Sequence, residues 1–162
     1  MKKLNVTPRQ NVDAETARWY RDIATIVNEK PDFEENTFTP TVVSSGGGTP
    51  TYSVQYGYYE RVGSFIHFVC NVQLATLGTL AAGSVTIANL PFNSNSATNN
   101  KAAFSVTATN LAATATTALM ADNVENTSTI RLFRFTAGGA NALTVADLAG
   151  TSIFRVSGTY RI

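Results

Sequence analysis

Two hydrophobic periods divide the chain. From Val12 to Ile26 the residues Val12, Thr16, Trp19, Ile23 and Ile26 recur at alternating spacings of four and three, the repeat that draws one stripe along an α-helix. Thr7-Pro8-Arg9-Gln10 has the form of a capping box with proline at the first helical position. Asn11, Asp13 and Glu15 offer a second start, with acids placed favourably in the first turn. Pro31 predicts a stop near Asn28. A helix of this length is marginal alone in water, so it needs a surface to lie on. That surface is either its own domain or another chain.

From Phe38 onward the period is two. Pro40, the run Ser44-Ser45-Gly46-Gly47-Gly48 and Pro50 mark a flexible crossing, after which Tyr52, Val54, Tyr56 and Tyr58 alternate as a strand. Ile66, Phe68, Cys70, Val72 and Leu74 form the apolar face of the next strand. Phe154, Val156, Tyr160 and Ile162 form that of the last. Shorter segments, 85–92, 103–109, 117–121 and 129–135, lie between Gly or Asn/Ser clusters. Short strands with turn signals and no helical period predict a β-sandwich or jelly roll over residues 38–162. Residues 1–37 are then an N-terminal helical segment.

Some strands are apolar on both faces. Phe65 and Val69 interrupt the polar side of the 64–74 strand, and Phe133 with Phe135 stands opposite Ile130 and Leu132. One small sandwich has a single inside. A second apolar face therefore predicts an oligomer interface. Tyr52, Tyr56 and Tyr58 share one parity and are expected inside the sandwich, with Tyr59 on the other side. The alternative is a sugar-stacking tyrosine platform.

Charge reinforces the division. Residues 1–40 carry 13 of the 23 charged side chains among 162 residues, and Val62 to Asn100 carries none. A charge-poor β region is suited to close self-association, because few charges need desolvating. The net charge of +1 argues against nucleic-acid binding driven by counterion release. No apolar run has the length of a membrane span, and no secretory signal follows Lys2 and Lys3. No membrane insertion is expected.

Candidate chemistry is sparse. His67 and Cys70 are the single histidine and cysteine of the sequence, which rules out a zinc finger, a disulfide framework or a two-His metal centre within one chain. Cys70 falls on the apolar face, where a thiol behaves as a small hydrophobe. The acids after residue 40 are Glu60, Asp122, Glu125 and Asp147. Asp122 and Glu125 with Asn123 and Asn126 have calcium-ligand chemistry, but a hydrophilic turn explains them equally. Gly46-Gly47-Gly48 lacks the following Lys-Ser/Thr of a phosphate loop. No catalytic residue, cofactor or metal is expected. The 93–100 loop and the 122–126 turn are polar enough to face a receptor, making Asn93, Asn95, Asn99, Asn100, Asn123 and Asn126 candidate receptor-facing residues.

Three segments together carry a resemblance. They are Phe38-Thr39-Pro40; Tyr52-x-x-Gln55-x-Gly57-x-Tyr59-x-Arg61-Val62-Gly63; and Ile87-x-x-Leu90-Pro91-Phe92. With the closing Ser157-Gly158-Thr159-Tyr160-Arg161, their order and spacing resemble the small C-terminal jelly-roll domains of tailed-bacteriophage virion proteins. Those proteins are tail fibres, head fibres and spike-like appendages. The resemblance implies a tumour-necrosis-factor-like homotrimer on the particle surface, without a shared active site. It implies a non-enzymatic structural protein: a short tail fibre or spike, or alternatively a capsid decoration protein or head fibre, or a host-glycan adhesin. Its partners would be its own copies, a virion protein (tail adaptor, portal complex or major capsid protein) and a host surface glycan. Val12, Trp19, Ile23 and Ile26 would form the virion anchor. Assembly is expected in the bacterial cytoplasm, where Cys70 stays reduced.

Overall fold

The computed structural model describes residues 13–28, 33–97, 101–112, 118–136 and 138–162. The chain forms two compact units, one ending at Phe33 and one running from Glu34 to Ile162. In the first, helix α1 spans Ala14–Asn28. Its start is the second of the two sequence signals. The Asp13 carboxylate accepts the Thr16 N–H at 2.7 Å and the Thr16 hydroxyl at 3.0 Å, satisfying a donor that the first turn leaves orphaned. The same N–H holds the Asp13 carboxyl below the ordinary carboxylate range. The Thr7–Gln10 signal lies outside the described residues.

The second unit is mainly antiparallel β. Its strands are β1 (Phe33–Phe38), β2 (Thr41–Ser44), β3 (Thr51–Val62), β4 (Phe65–Thr76), β5 (Val85–Ala88), β6 (Ala103–Leu111), β7 (Ala118–Asn123), β8 (Ile130–Thr136), β9 (Gly139–Ala142) and β10 (Leu148–Arg161). The ladder runs β1-β3-β4-β10-β6-β7-β8-β5-β2, with β9 on β8. Strand β6 joins the two halves: Ser105–Thr109 and Leu111 pair β10, while Ala103 and Phe104 pair β7. The sheet curls, and the inner faces of its halves meet in one core.

Period-two alternation builds that core. Ile66, Phe68, Cys70, Val72 and Leu74 of β4 are all buried, as are Phe154, Val156 and Tyr160 of β10. They share one cluster with Val42, Val85, Ile87, Ile130 and Leu132. Each fully buried large side chain contributes about 1.5–3 kcal/mol. Phe68 meets Phe104 edge-on at 5.0 Å, and Tyr160 joins the pair.

Three expectations change. The 85–92 segment is a strand only to Ala88, because Asn89 takes a left-handed φ of 66°. Residues 34–37 belong to the β unit and not to the helical segment. Strand β1 is polar and mostly exposed, so it has no alternation to read. It pairs with β3 in the sheet, and side chains of β3 hold it further. The Tyr59 hydroxyl donates to Glu34 and the Tyr58 hydroxyl to Glu35 at 2.8 Å.

The third change concerns β3 itself. Its pairing advances from Tyr52↔Leu74 to Val54↔Gln73, so Ser53 is an extra residue, a β-bulge that inverts the parity beyond it. Tyr56 and Tyr58, expected inside with Tyr52, therefore point outward, and Tyr59 is buried.

Candidate functional site

Beyond the bulge, the residues facing inward are those of the recognised pattern. The Tyr52 hydroxyl accepts the Val42 N–H at 2.8 Å, and Gln55 donates to the Pro40 carbonyl at 3.0 Å. Gly57 lies under the Phe38 ring, where a Cβ would collide. Arg61 stacks over Phe92 at 5.4 Å. The Tyr160 hydroxyl donates to the Phe92 carbonyl at 3.0 Å and accepts its N–H at 3.3 Å, while Gly158 makes room for Phe104. The four motif segments clasp one another. They are a signature of the fold, built from buried clamps, and they expose no reactive group.

The titratable side chains are engaged in similar structural roles. Asp122 receives both nitrogens of Arg131 in a bidentate pair, and Arg131 also covers the Phe133 ring. Asp122 raises the affinity of that guanidinium for its proton. Buried Asp147 accepts from Arg134 at 2.6 Å and from the Thr144 N–H at 2.9 Å. Burial pushes the Cys70 thiol up to about 12, far from the thiolate that nucleophilic chemistry needs. His67 lies on the exposed side of β4, its Nδ1 2.7 Å from the Thr159 hydroxyl. Among the described residues, no three His, Cys, Asp or Glu side chains gather as a metal site, and no helix is long and apolar enough to cross a membrane.

The candidate receptor residues divide. Asn123 is buried, a correction to its expected exposure: its Oδ1 accepts the Ala102 N–H at 2.5 Å. Period two places it inside, next to Ala121. Asn99 and Asn100 lie outside the described residues. Asn93 and Asn126 are exposed and Asn95 half-buried. The 93–97 and 122–128 segments stand side by side: Ser94 donates its N–H to Thr127 at 2.9 Å, and Asn126 donates its own to Asn95 at 3.4 Å. Linear sequence does not predict that adjacency.

Of the candidate anchor residues, Trp19 is 58% exposed and Ile23 is exposed beside Tyr20. The Trp19 and Tyr20 rings meet edge-on at 5.3 Å. Val12 and the side chain of Ile26 fall outside what is described.

The most extensive feature is the outer face of β3, β4 and β10. Pairing register makes it a grid in which Val62, Phe65 and Arg161 form one row and Glu60, His67 and Thr159 the next. Tyr58, Val69 and Ser157 follow, then Tyr56, Asn71 and Arg155. Tyr56 and Phe65 are each 51% exposed and Val69 50%, forming two apolar patches, Val62 with Phe65 and Val69 with Tyr56, on either side of the Glu60, His67 and Thr159 row. Shallow depressions flank Val69, one toward Glu60 and Thr159, the other toward Arg155 and Thr107. Asn71 lines the second, and its Oδ1 is buried without a hydrogen-bond partner among the described residues. Phe133 and Phe135, the other doubly apolar pair, are half-buried.

No family model and no curated protein matches the chain. Among solved structures, the fold is similar to part of the Dettilon tailspike protein, with a TM-score of 0.67 and 23% identity. The match covers 80% of this chain and 24% of that one. The chain thus has the fold of one segment of a phage tailspike and spans about a quarter of that protein's length.

Proposed function

We propose that the chain is a non-enzymatic structural protein of a tailed-phage particle, a short trimeric spike or fibre attached through its N-terminal helix. The observation that carries this reading is the tailspike-like fold of the β unit, whose interlocked clamps are the sequence pattern shared with phage appendage domains. A jelly-roll head related to tumour-necrosis-factor-like trimers is the architecture it implies. Exposed Trp19 and Ile23 support an anchoring helix, because an unpartnered apolar stripe lowers its free energy by docking.

Mass spectrometry of purified particles, counting this chain against the major capsid protein, tests the assignment. A tail appendage is present in copies that fit a sixfold or twelvefold tail. Copies set by icosahedral sites indicate a capsid decoration protein, and absence from particles overturns both. In the same particles, Trp19→Ala is expected to weaken attachment by about 2 kcal/mol. Normal occupancy with that change removes the anchor role.

Receptor contact is a second reading, favoured by the adjoining 93–97 and 122–128 segments. A glycan array with the full chain checks it. Binding lost on Asn93→Ala and Asn126→Ala supports it, and no signal at high protein concentration leaves the structural role alone.

A further inference from the structure

Charge is distributed unevenly over the outer face of the sheet. On its β3 side stands Glu60, and the Tyr58 hydroxyl that donates to Glu35 also lies 3.3 Å from the Glu60 carboxylate. On its β10 side stand Arg155 and Arg161. Between them runs β4 with Phe65, His67 and Val69, and no ion pair crosses it among the described residues. The face therefore has an acidic edge, an apolar middle and a basic edge.

We infer that this face is the contact between copies, turned toward a common rotation axis so that the acidic edge of each copy meets the basic edge of the next. The inference rests on the trimeric reading above and names the surface that makes it. In a cyclic assembly each copy presents one side of a patch to the opposite side of its neighbour's. A face with acid on one side and base on the other is complementary to itself under that rotation, and like charges at those edges would oppose association. Closing the ring covers Tyr56, Phe65 and Val69. A glycan fits the middle of this face less well, because Phe65 and Val69 offer no hydrogen bonds there.

Light scattering of the natural chain and three variants tests the contact, with circular dichroism as the check on folding. The natural chain is expected at three times its single-chain mass, and Val69→Asp at the single-chain mass with the same spectrum. Glu60→Arg should weaken association by at least ~tenfold. Adding Arg155→Glu and Arg161→Glu to it should restore the trimer, since the edges are then exchanged, and a merely misfolded protein would not recover. An oligomer indifferent to Val69→Asp, a triple variant no tighter than Glu60→Arg, or a monomeric natural chain whose face binds glycan overturns the inference. The copy count in particles is read separately. A chain present in particles but trimeric through another face loses this inference and keeps its function.

Discussion

The two faces of β4 differ in what satisfies them. The inner residues, Ile66 to Leu74 in steps of two, are all but sealed by β5, β8 and β10 of the same chain. The outer residues Phe65 and Val69 are equally apolar and remain half-exposed. Inner burial is a folding term. In the assembly proposed above, burial of the outer face adds a second equilibrium to folding, and substitutions on the strand should separate the two.

The largest separation is expected from Phe68→Ala, which opens a cavity against Phe104 and Tyr160. It should cost about 3–5 kcal/mol in urea unfolding. Val69→Asp, one residue along, should change the stability of the single chain by no more than about 0.5 kcal/mol while abolishing the oligomer. Equal losses at both positions would mean that the outer face is part of the folding core. Next in size is Asp147→Ala. It strips a buried carboxylate from Arg134 and Thr144 and should cost about 3 kcal/mol by thermal unfolding. Gly158→Ala follows at about 1–3 kcal/mol, as its Cβ would press on the Phe104 ring.

The smallest effects are chemical. The Glu35 carboxylate that accepts its proton pushes Tyr58 up to about 12, above an ordinary value of 10.0. A raised pKa means that the protonated form is favoured by folding. The contact with β1 is therefore fully present below pH 10 and lost as pH rises through about 12. Tyrosinate absorbance followed against pH should show several late tyrosines, since Tyr52, Tyr59 and Tyr160 are raised too, and Tyr58→Phe should remove one of them. Cys70 should stay unreactive toward a thiol reagent at neutral pH until the chain unfolds. Rapid labelling of the folded chain would place it on a mobile strand instead.

Much of the receptor-facing list depended on contacts between distant segments. Asn123 looked like any polar turn residue, yet its amide closes a bond to Ala102 that no local pattern encodes. Asn95 and Asn126 were legible as polar positions, but not as neighbours. The outer face was more legible, since Phe65 and Val69 break the alternation of β4 in plain view. Its charged edges were not, because Glu60, Arg155 and Arg161 meet on one surface only after β10 pairs with β4.

Sequence by itself determined what short-range chemistry controls. It offered two starts for the helix, at Thr7 and at Asn11 to Glu15, and a stop near Asn28, because caps and a proline act within a few residues. It separated the charged segment from the charge-poor one, and it set the inner face of β4, because pleat periodicity is local. Tertiary structure alone decided which β3 tyrosines are inside: the Ser53 bulge arises from pairing with β4 and flips every side chain after it. It also made a strand of residues 33–38, whose polar middle shows no alternation. That strand is ordered by pairing with β3, distant in sequence, by hydroxyl-to-carboxylate bonds from it, and by Phe38 against the core.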